Sequence, residues 1–129
     1  FAHWIEMGAK MDPEKAPKIF HVNWFRKDDE GKFMWPGFGD NMRVLDWIID
    51  RCEDKVDAVE TPIGFVPKAE DINIEGLDID LETIRGLLSV DHDSWKEDIA
   101  NIKEFYAQVG DRVPATMYEE LAALEARLG

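Results

Sequence analysis

The amino-acid sequence predicts an α+β fold that is mainly helical and carries an aromatic β-hairpin. The length of 129 residues is enough for one domain or part of one. Hydrophobic residues make up 45% of the chain and charged residues 33%, which is typical of a folded globular protein. Hydrophobic residues recur every three or four positions in five stretches, whereas one aromatic stretch alternates with a period of two. We therefore expect five helices and one hairpin.

The first predicted helix covers residues 1–10. Its first apolar residues are spaced at i, i+3 and i+4, which places them on one face of an α-helix. The helix should end before Pro13, because proline lacks the backbone amide that a helix interior uses. No capping residue precedes Phe1, so we expect the chain to be a piece of a longer protein.

The predicted hairpin follows this helix. Residues 18–26 read KIFHVNWFR and alternate between two faces, which is the period of a β-strand. The polar cluster at 28–31 predicts a turn, and the chain returns through 32–35 to the breaker pair Pro36-Gly37. One face of the first strand should carry Phe20, Val22 and Trp24, and the other face Ile19, His21, Asn23 and Phe25.

A second helix is predicted after the hairpin. Asp40 is placed to cap it, and its apolar residues follow the 3.6-residue period until it ends near Asp54. Cys52 falls on the apolar face, so we expect a buried and inert thiol. The stretch TPIGFVP at 61–67 has a proline at each end, which favours a short edge strand or an extended connector.

The last part of the chain, residues 80–129, is predicted to be helical. Asp80 should begin a short helix, and a longer helix that follows should end at Gly110. The final helix should start at Thr116, whose hydroxyl and the Glu119 carboxylate would form a capping box.

The charge and the rare residue types exclude several functions. Acidic residues outnumber basic ones by 28 to 15, so the surface should repel nucleic acids and acidic membranes, and we expect neither as a partner. His3, His21 and His92 lie on separate elements without metal-ligand spacing, and no nucleophile motif is present, so we expect no metal site and no catalytic residue in this chain. Cys52 is the only cysteine and no apolar run is long enough to span a membrane, which favours a reducing, cytoplasmic location.

Aromatic residues are concentrated in one segment. Six of the fourteen lie between Phe20 and Phe38. Gly37 and Gly39 flank the last of these rings, and the absence of their Cβ atoms would let a planar ligand approach the backbone. Asn41 follows closely and has both a donor and an acceptor, as the polar edge of a nucleobase requires. The segment therefore has the residue types of a purine site.

Composition alone leaves two interpretations of this segment open, a purine site or an ordinary packing element. Aromatic residues are mainly packing residues, so the segment could be a hairpin core with a glycine-rich turn, and composition favours this interpretation. Three basic residues flank the hairpin, namely Arg26, Lys27 and Lys32. They could contact the phosphate groups of a ligand, but a solvated turn is the simpler interpretation.

The residues themselves resemble a known family. Residues 18–51, KIFHVNWFRKDDEGKFMWPGFGDNMRVLDWIIDR, resemble the nucleotide-base segment of the GTP-dependent phosphoenolpyruvate carboxykinases. The TPIGFVP stretch and the C-terminal helices resemble the last quarter of the same enzymes, so the resemblance covers almost the whole chain. Many members carry Glu and Ser where this chain has Asp40 and Met42.

The resemblance implies a guanine site in the hairpin and loop at residues 18–41. In the family, aromatics that match Phe25 and Phe38 sandwich the guanine, and a ring that matches Phe33 meets it edgewise. The residue that matches Asn41 helps to select guanine over adenine. The complete set that the resemblance implies is Trp24, Phe25, Phe33, Trp35, Pro36, Gly37, Phe38, Gly39, Asp40 and Asn41.

The resemblance also implies an activity and an architecture for a longer protein. Family members convert oxaloacetate and GTP into phosphoenolpyruvate, GDP and carbon dioxide in gluconeogenesis. Residues 1–129 would be the C-terminal part of a mixed α/β nucleotide-binding domain, with residues 80–129 as its C-terminal helices. The catalytic residues and the ligands of Mn²⁺ and Mg²⁺ would precede Phe1, within the rest of a monomeric polypeptide, so this chain alone should be inactive. The alternative is a non-enzymatic acidic interaction module with an aromatic hairpin.

Overall fold

The computed structural model of the chain describes all of residues 1–129 and divides them into two compact units. One unit is residues 18–89, and the other combines residues 1–17 with residues 90–129. Short 3₁₀ helices occur at Phe38–Asp40, Ala69–Asp71 and Gly110–Arg112. The α-helices are α1 (Ala2–Ala9), α2 (Met42–Cys52), α3 (Leu81–Leu88), α4 (His92–Val109) and α5 (Ala115–Leu128), and the strands are β1 (Val59–Thr61) and β2 (Gly64–Val66).

The core of the 18–89 unit lies between α2, α3 and the aromatic segment. Trp47 is the buried residue of α2, and Ile84 is the buried residue of α3. The Phe20 ring meets the Trp47 ring edge-on, with centroids 6.2 Å apart. Trp35, Ala69 and Ile72 complete the buried cluster. The aromatic segment is therefore partly a packing element, as its composition indicated.

The predicted aromatic hairpin is present at its turn but is much shorter than expected. Residues 18–23 form no strand, and the only bridge joins Lys27 to Phe33. The ladder stops early because the Asn23 side chain accepts a hydrogen bond from the Phe25 amide, which turns the chain out of an extended path. The prediction of a strand over 18–26 was therefore wrong. The alternation itself holds, because Phe20, Val22 and Trp24 are partly buried whereas Ile19, His21, Asn23 and Phe25 are exposed.

The two-stranded sheet lies further along the chain than predicted. β1 and β2 pair antiparallel, with Val59 opposite Val66 and Thr61 opposite Gly64. The stretch that was expected to be a single edge strand or a connector thus contains a complete tight turn. The Thr61 hydroxyl donates to the Gly64 carbonyl across this turn, at 2.6 Å.

The second helix was predicted in the right place, but its cap and its cysteine differ. Asn41 precedes the helix without a side-chain capping bond, and Asp40 instead accepts a hydrogen bond from Arg43 Nε at 3.2 Å. Cys52 is exposed. It lies five residues after Trp47, a rotation of about 140° from the buried face, so the prediction of a buried thiol was wrong.

The third helix confirms its predicted cap. The Asp80 carboxylate accepts hydrogen bonds from the Thr83 amide at 2.8 Å and from the Thr83 hydroxyl at 2.9 Å. Arg85 on the same helix forms an ion pair at 2.7 Å with Glu70, which lies in the 3₁₀ helix that packs against α3. Ile84 of this helix is buried, and Leu81, Leu87 and Leu88 are partly buried against the same core, so one side of α3 is apolar.

The other unit contains an antiparallel pair of helices, α4 and α5. His92 Nδ1, at the start of α4, lies 2.9 Å from the carbonyl oxygen of Leu128, at the end of α5. Gly110 ends α4 as predicted. The predicted capping box at Thr116 is wrong, because Pro114 occupies the capping position and Thr116 lies inside the first turn.

Helix α1 lies where the sequence predicted it, but none of its residues is buried. No helix of the chain combines the length and the hydrophobicity that a membrane span requires.

Candidate base-binding site

Three phenylalanines of the aromatic segment are exposed rather than packed. The exposed fraction is 71% for Phe25, 51% for Phe33 and 92% for Phe38. Exposure of a large apolar ring costs hydrophobic free energy, so three such rings within fourteen residues mark this surface as a candidate binding site.

The hairpin tip positions two of these rings. The Asp28 amide donates to the Lys32 carbonyl at 2.9 Å and the Met34 amide to the Arg26 carbonyl at 3.0 Å, so Lys27 and Phe33 face each other across the bridge. The Phe25 and Phe33 rings meet edge-on, with centroids 6.0 Å apart and planes at 65°.

Lys27 adds a positive charge to this pair of rings. Its Nζ atom lies 5.1 Å from the centroid of the Phe33 ring, within the range of a cation–π interaction. The Asp28 carboxylate holds the turn by accepting hydrogen bonds from the Glu30 and Lys32 amides, at 3.0 and 2.9 Å. The tip is therefore held by both backbone and side-chain contacts.

The glycines beside Phe38 leave open space. Gly37 has φ of +136°, a conformation that residues with a side chain rarely adopt. A Cβ atom placed on Gly37 or on Gly39 would meet no other atom within 4 Å. The positive φ at position 37 therefore requires glycine, whereas the backbone conformation at position 39 does not. Pro36, just before them, is exposed.

Phe38 and Asn41 share one face of a short helix. The 3₁₀ helix at Phe38–Asp40 is closed by a hydrogen bond from the Asn41 amide to the Phe38 carbonyl, at 3.3 Å. A 3₁₀ helix has three residues per turn, so side chains three apart lie one above the other. The side chain of Phe38 and the amide side chain that the sequence selected for base recognition therefore start from the same side of this short helix.

Trp24 and Trp35 pack against the core. Trp35 is 7% exposed and Trp24 is packed against the same core, with their ring centroids 6.0 Å apart. The Trp35 indole Nε1 donates a hydrogen bond to Asn41 Oδ1 at 2.9 Å. The sequence named both tryptophans as contacts of a base, and that assignment stays a prediction; in the structure Trp35 is buried and Trp24 is partly buried against the same core. This hydrogen bond was missed, because no spacing rule predicts it.

The arginines near the site are engaged in structural contacts. Arg26 donates to the Leu87 and Ser89 carbonyl oxygens at 3.0 and 2.8 Å, so the expectation of a solvated turn was wrong for this residue. Arg43 donates to the carbonyl oxygens of Asn73 and Glu75 at 2.8 and 2.9 Å. Neither guanidinium has its full set of donors available for a phosphate group.

The chain's own residues do not fit a metal centre. No group of three or more histidine, cysteine, aspartate or glutamate side chains is close enough to hold an ion.

Comparison with known proteins gives the family. Residues 1–127 match the family described as the phosphoenolpyruvate carboxykinase C-terminal P-loop domain, so the chain belongs to this family. It is 52% identical over 127 residues to the phosphoenolpyruvate carboxykinase (GTP) of Paenarthrobacter aurescens strain TC1, covering 98% of this chain and 21% of that protein. It is 50% identical over 129 residues to the enzyme of the same name from Treponema pallidum strain Nichols, covering 99% of this chain and 21% of that protein.

A third relative bearing that name, from Corynebacterium glutamicum strain R, is 45% identical over 126 residues, with 98% of this chain and 20% of that protein covered. The chain thus spans about a fifth of the length of the curated relatives it matches. The alternative of a non-enzymatic interaction module receives no support from these comparisons.

Proposed function

We propose that this chain holds the guanine base of GTP within a protein that converts oxaloacetate and GTP into phosphoenolpyruvate, GDP and carbon dioxide. The activity is suggested by the name of the relatives, phosphoenolpyruvate carboxykinase (GTP). These relatives are 52% and 50% identical to this chain over nearly its whole length. The role of this chain within the reaction is binding and positioning of the nucleotide.

One observation carries the proposal for the base. Phe38 is the most exposed ring of the aromatic segment and shares a helical face with Asn41. A nucleobase needs a flat apolar surface for stacking and a polar group at its edge for recognition, and these two residues supply one each. Phe25 and Phe33, already in edge-on contact, supply the other aromatic surfaces.

The proposal assigns no bond-breaking step to these residues. Decarboxylation and phosphoryl transfer need groups at the reacting carboxylate and at the γ-phosphate, and those groups would belong to residues that precede Phe1. What this chain contributes is position, because a base held firmly restricts where the distant phosphates can lie.

The wider features of the proposed protein rest on the properties of the family. They are Mn²⁺ and Mg²⁺ bound by residues before Phe1, a monomeric enzyme in the cytoplasm, and a place in gluconeogenesis. The family match over residues 1–127 supports them as a group.

The test is Asn41→Ala in the full-length protein that contains this chain. Loss of an amide remote from the reacting phosphate should raise the Michaelis constant for GTP and leave that for oxaloacetate nearly unchanged. Asn101→Ala, at an exposed position of α4, is the matched control and should change neither constant. An equal rise in both constants for Asn41→Ala would contradict the proposed role.

A further inference from the structure

We propose that Trp35 is a positioning residue that orients the Asn41 side-chain amide, so that this amide offers a donor rather than an acceptor to the base. The inference rests on the proposed guanine site and deepens it. It assigns base selectivity to a pair of residues, of which only Asn41 would touch the nucleotide.

The orientation of the amide follows from the chemistry of its partner. An indole nitrogen carries a hydrogen and can only donate, so the atom 2.9 Å from Trp35 Nε1 must be the amide oxygen of Asn41. The donor is held in place because the Trp35 ring is buried in the core and lies against the Trp24 ring.

The backbone of Asn41 is held as well. Its amide donates to the Phe38 carbonyl at 3.3 Å, and its carbonyl accepts from the Val44 and Leu45 amides at 3.1 and 3.3 Å. With the backbone position set in this way, the side-chain amide can still exchange its oxygen and nitrogen by a rotation of about 180°. The hydrogen bond from Trp35 opposes that rotation.

The amide nitrogen of Asn41 is available for a ligand. It makes no hydrogen bond within the chain, and the only buried side-chain polar atom without a partner is Trp47 Nε1. Asn41 Nδ2 is therefore in contact with solvent, on a residue that shares its helical face with Phe38.

The two orientations of the amide would recognise different purines. Guanine carries an oxygen at C6, which accepts a hydrogen bond, whereas adenine carries an amino group there, which donates one. An outward NH₂ group matches the guanine oxygen and opposes the adenine amino group. An outward oxygen would do the reverse. Because Trp35 holds the oxygen inward, adenine would bind with two donors facing each other and no acceptor between them.

The experiment measures kcat/KM for GTP and for ATP in the full-length protein with Trp35→Phe. The variant keeps an aromatic ring in the core but removes the indole donor, so the amide can rotate. We expect the GTP-to-ATP ratio of kcat/KM to fall by about tenfold, the factor associated with one hydrogen bond. A role in packing alone would lower both values by the same factor and leave the ratio unchanged, which would overturn the inference.

Trp47→Phe is the matched control. Trp47 belongs to the same buried cluster and is 5% exposed, but its Nε1 atom has no hydrogen-bond partner. The substitution therefore removes the same atoms from the same core without releasing an amide, and the ratio should stay at the wild-type value. A fall equal to that of Trp35→Phe would show that core packing, not orientation, sets the ratio.

A second replacement keeps the test valid if Trp35→Phe does not fold. Benzothienylalanine at position 35 preserves the shape of the indole but has sulfur in place of the N–H group, and it should lower the ratio in the same way. An unchanged ratio with this replacement would overturn the inference.

Asn41→Ala separates the two proposals. If Asn41→Ala lowers the GTP-to-ATP ratio and the Trp35 replacements do not, the guanine site stands and the inference about Trp35 fails. If Asn41→Ala leaves the ratio unchanged, the role of Asn41 as base reader fails, and the inference fails with it. The inference also requires that Trp35→Phe has no further effect on the ratio once Asn41 is alanine.

Discussion

Arg26 holds Ser89 through two of its donors: Nη1 lies 2.8 Å from the Ser89 carbonyl oxygen, and Nη2 lies 2.9 Å from its hydroxyl oxygen. Nη1 also donates to the carbonyl oxygen of Leu87 at 3.0 Å. These carbonyls belong to the C-terminal end of α3, where carbonyl groups lack partners within the helix and a positive charge is favourable. Arg26 therefore ties the short hairpin that carries Phe33 to a core helix.

We expect Arg26→Lys to loosen this hairpin. A lysine has no planar fork and cannot bridge the carbonyl and the hydroxyl of Ser89 in the same way. The expected loss of stability is about 1–3 kcal/mol, the range for a hydrogen bond to a charged group and for leaving its acceptors unsatisfied. Denaturant unfolding measures this loss, and hydrogen exchange should increase at the Met34 amide. Lys32→Ala, which removes an exposed cation, should change neither quantity.

The second prediction concerns stacking on Phe38. Because this ring is 92% exposed, Phe38→Ala should leave the unfolding temperature nearly unchanged. It should weaken nucleotide binding by about 1–3 kcal/mol, with a similar effect on GTP and ATP, since stacking is tolerant of base identity. Thermal unfolding and isothermal titration of the full-length protein measure the two effects. Phe65→Ala, another exposed phenylalanine, is the control, and an equal loss of affinity there would contradict a specific role for Phe38.

The two glycines beside Phe38 should respond in opposite ways. The Cβ atom that Gly39→Ala adds would meet no atom within 4 Å, so the stability should be preserved. GTP binding should weaken if the base lies against the backbone at this position. Gly37→Ala should instead cost about 1–3 kcal/mol of stability, because φ at this position is +136°. Thermal unfolding and GTP titration of both variants test this difference. Normal GTP affinity in Gly39→Ala would indicate that no ligand approaches there.

The cap of α3 predicts a dependence of stability on pH. The backbone amide of Thr83, and then its hydroxyl, donate to Asp80 and hold the pKa of that carboxyl below its ordinary value. A lowered pKa in the folded state stabilises the fold above the ordinary aspartate value of about 3.9, and this stabilisation is lost as the pH falls through the lowered value. Asp80→Asn keeps a capping oxygen but cannot titrate. Comparing the unfolding temperatures of both proteins at pH 7 and pH 3 should therefore show a smaller acid effect in Asp80→Asn, and equal effects would contradict the assignment.

The sequence by itself determined the features that depend on neighbours a few residues apart. The positions of the helices along the chain, the cap at Asp80 and the end of α4 at Gly110 were predicted correctly, whereas the apolar face of α2 was not, since Cys52 is exposed. The alternation of burial from Ile19 to Phe25 was also predicted, because residues two apart lie on the same face of an extended segment. The selection of Phe25, Phe38 and Asn41 as a base site came from residue types and from the resemblance to a family, and it stays a prediction.

The tertiary structure decided the features that depend on contacts between distant parts of the chain. Arg26 and Leu87 are 61 residues apart, so no local rule could replace a solvated turn with an anchor on α3. Cys52 is exposed because it lies away from Trp47, which is on the buried side of α2. The hydrogen bond from Trp35 to Asn41 spans only six residues, yet it exists because burial in the core brings the indole beneath the amide. Local sequence sets which conformations are low in energy, whereas the core determines which side chains lose access to water and must find partners within the protein.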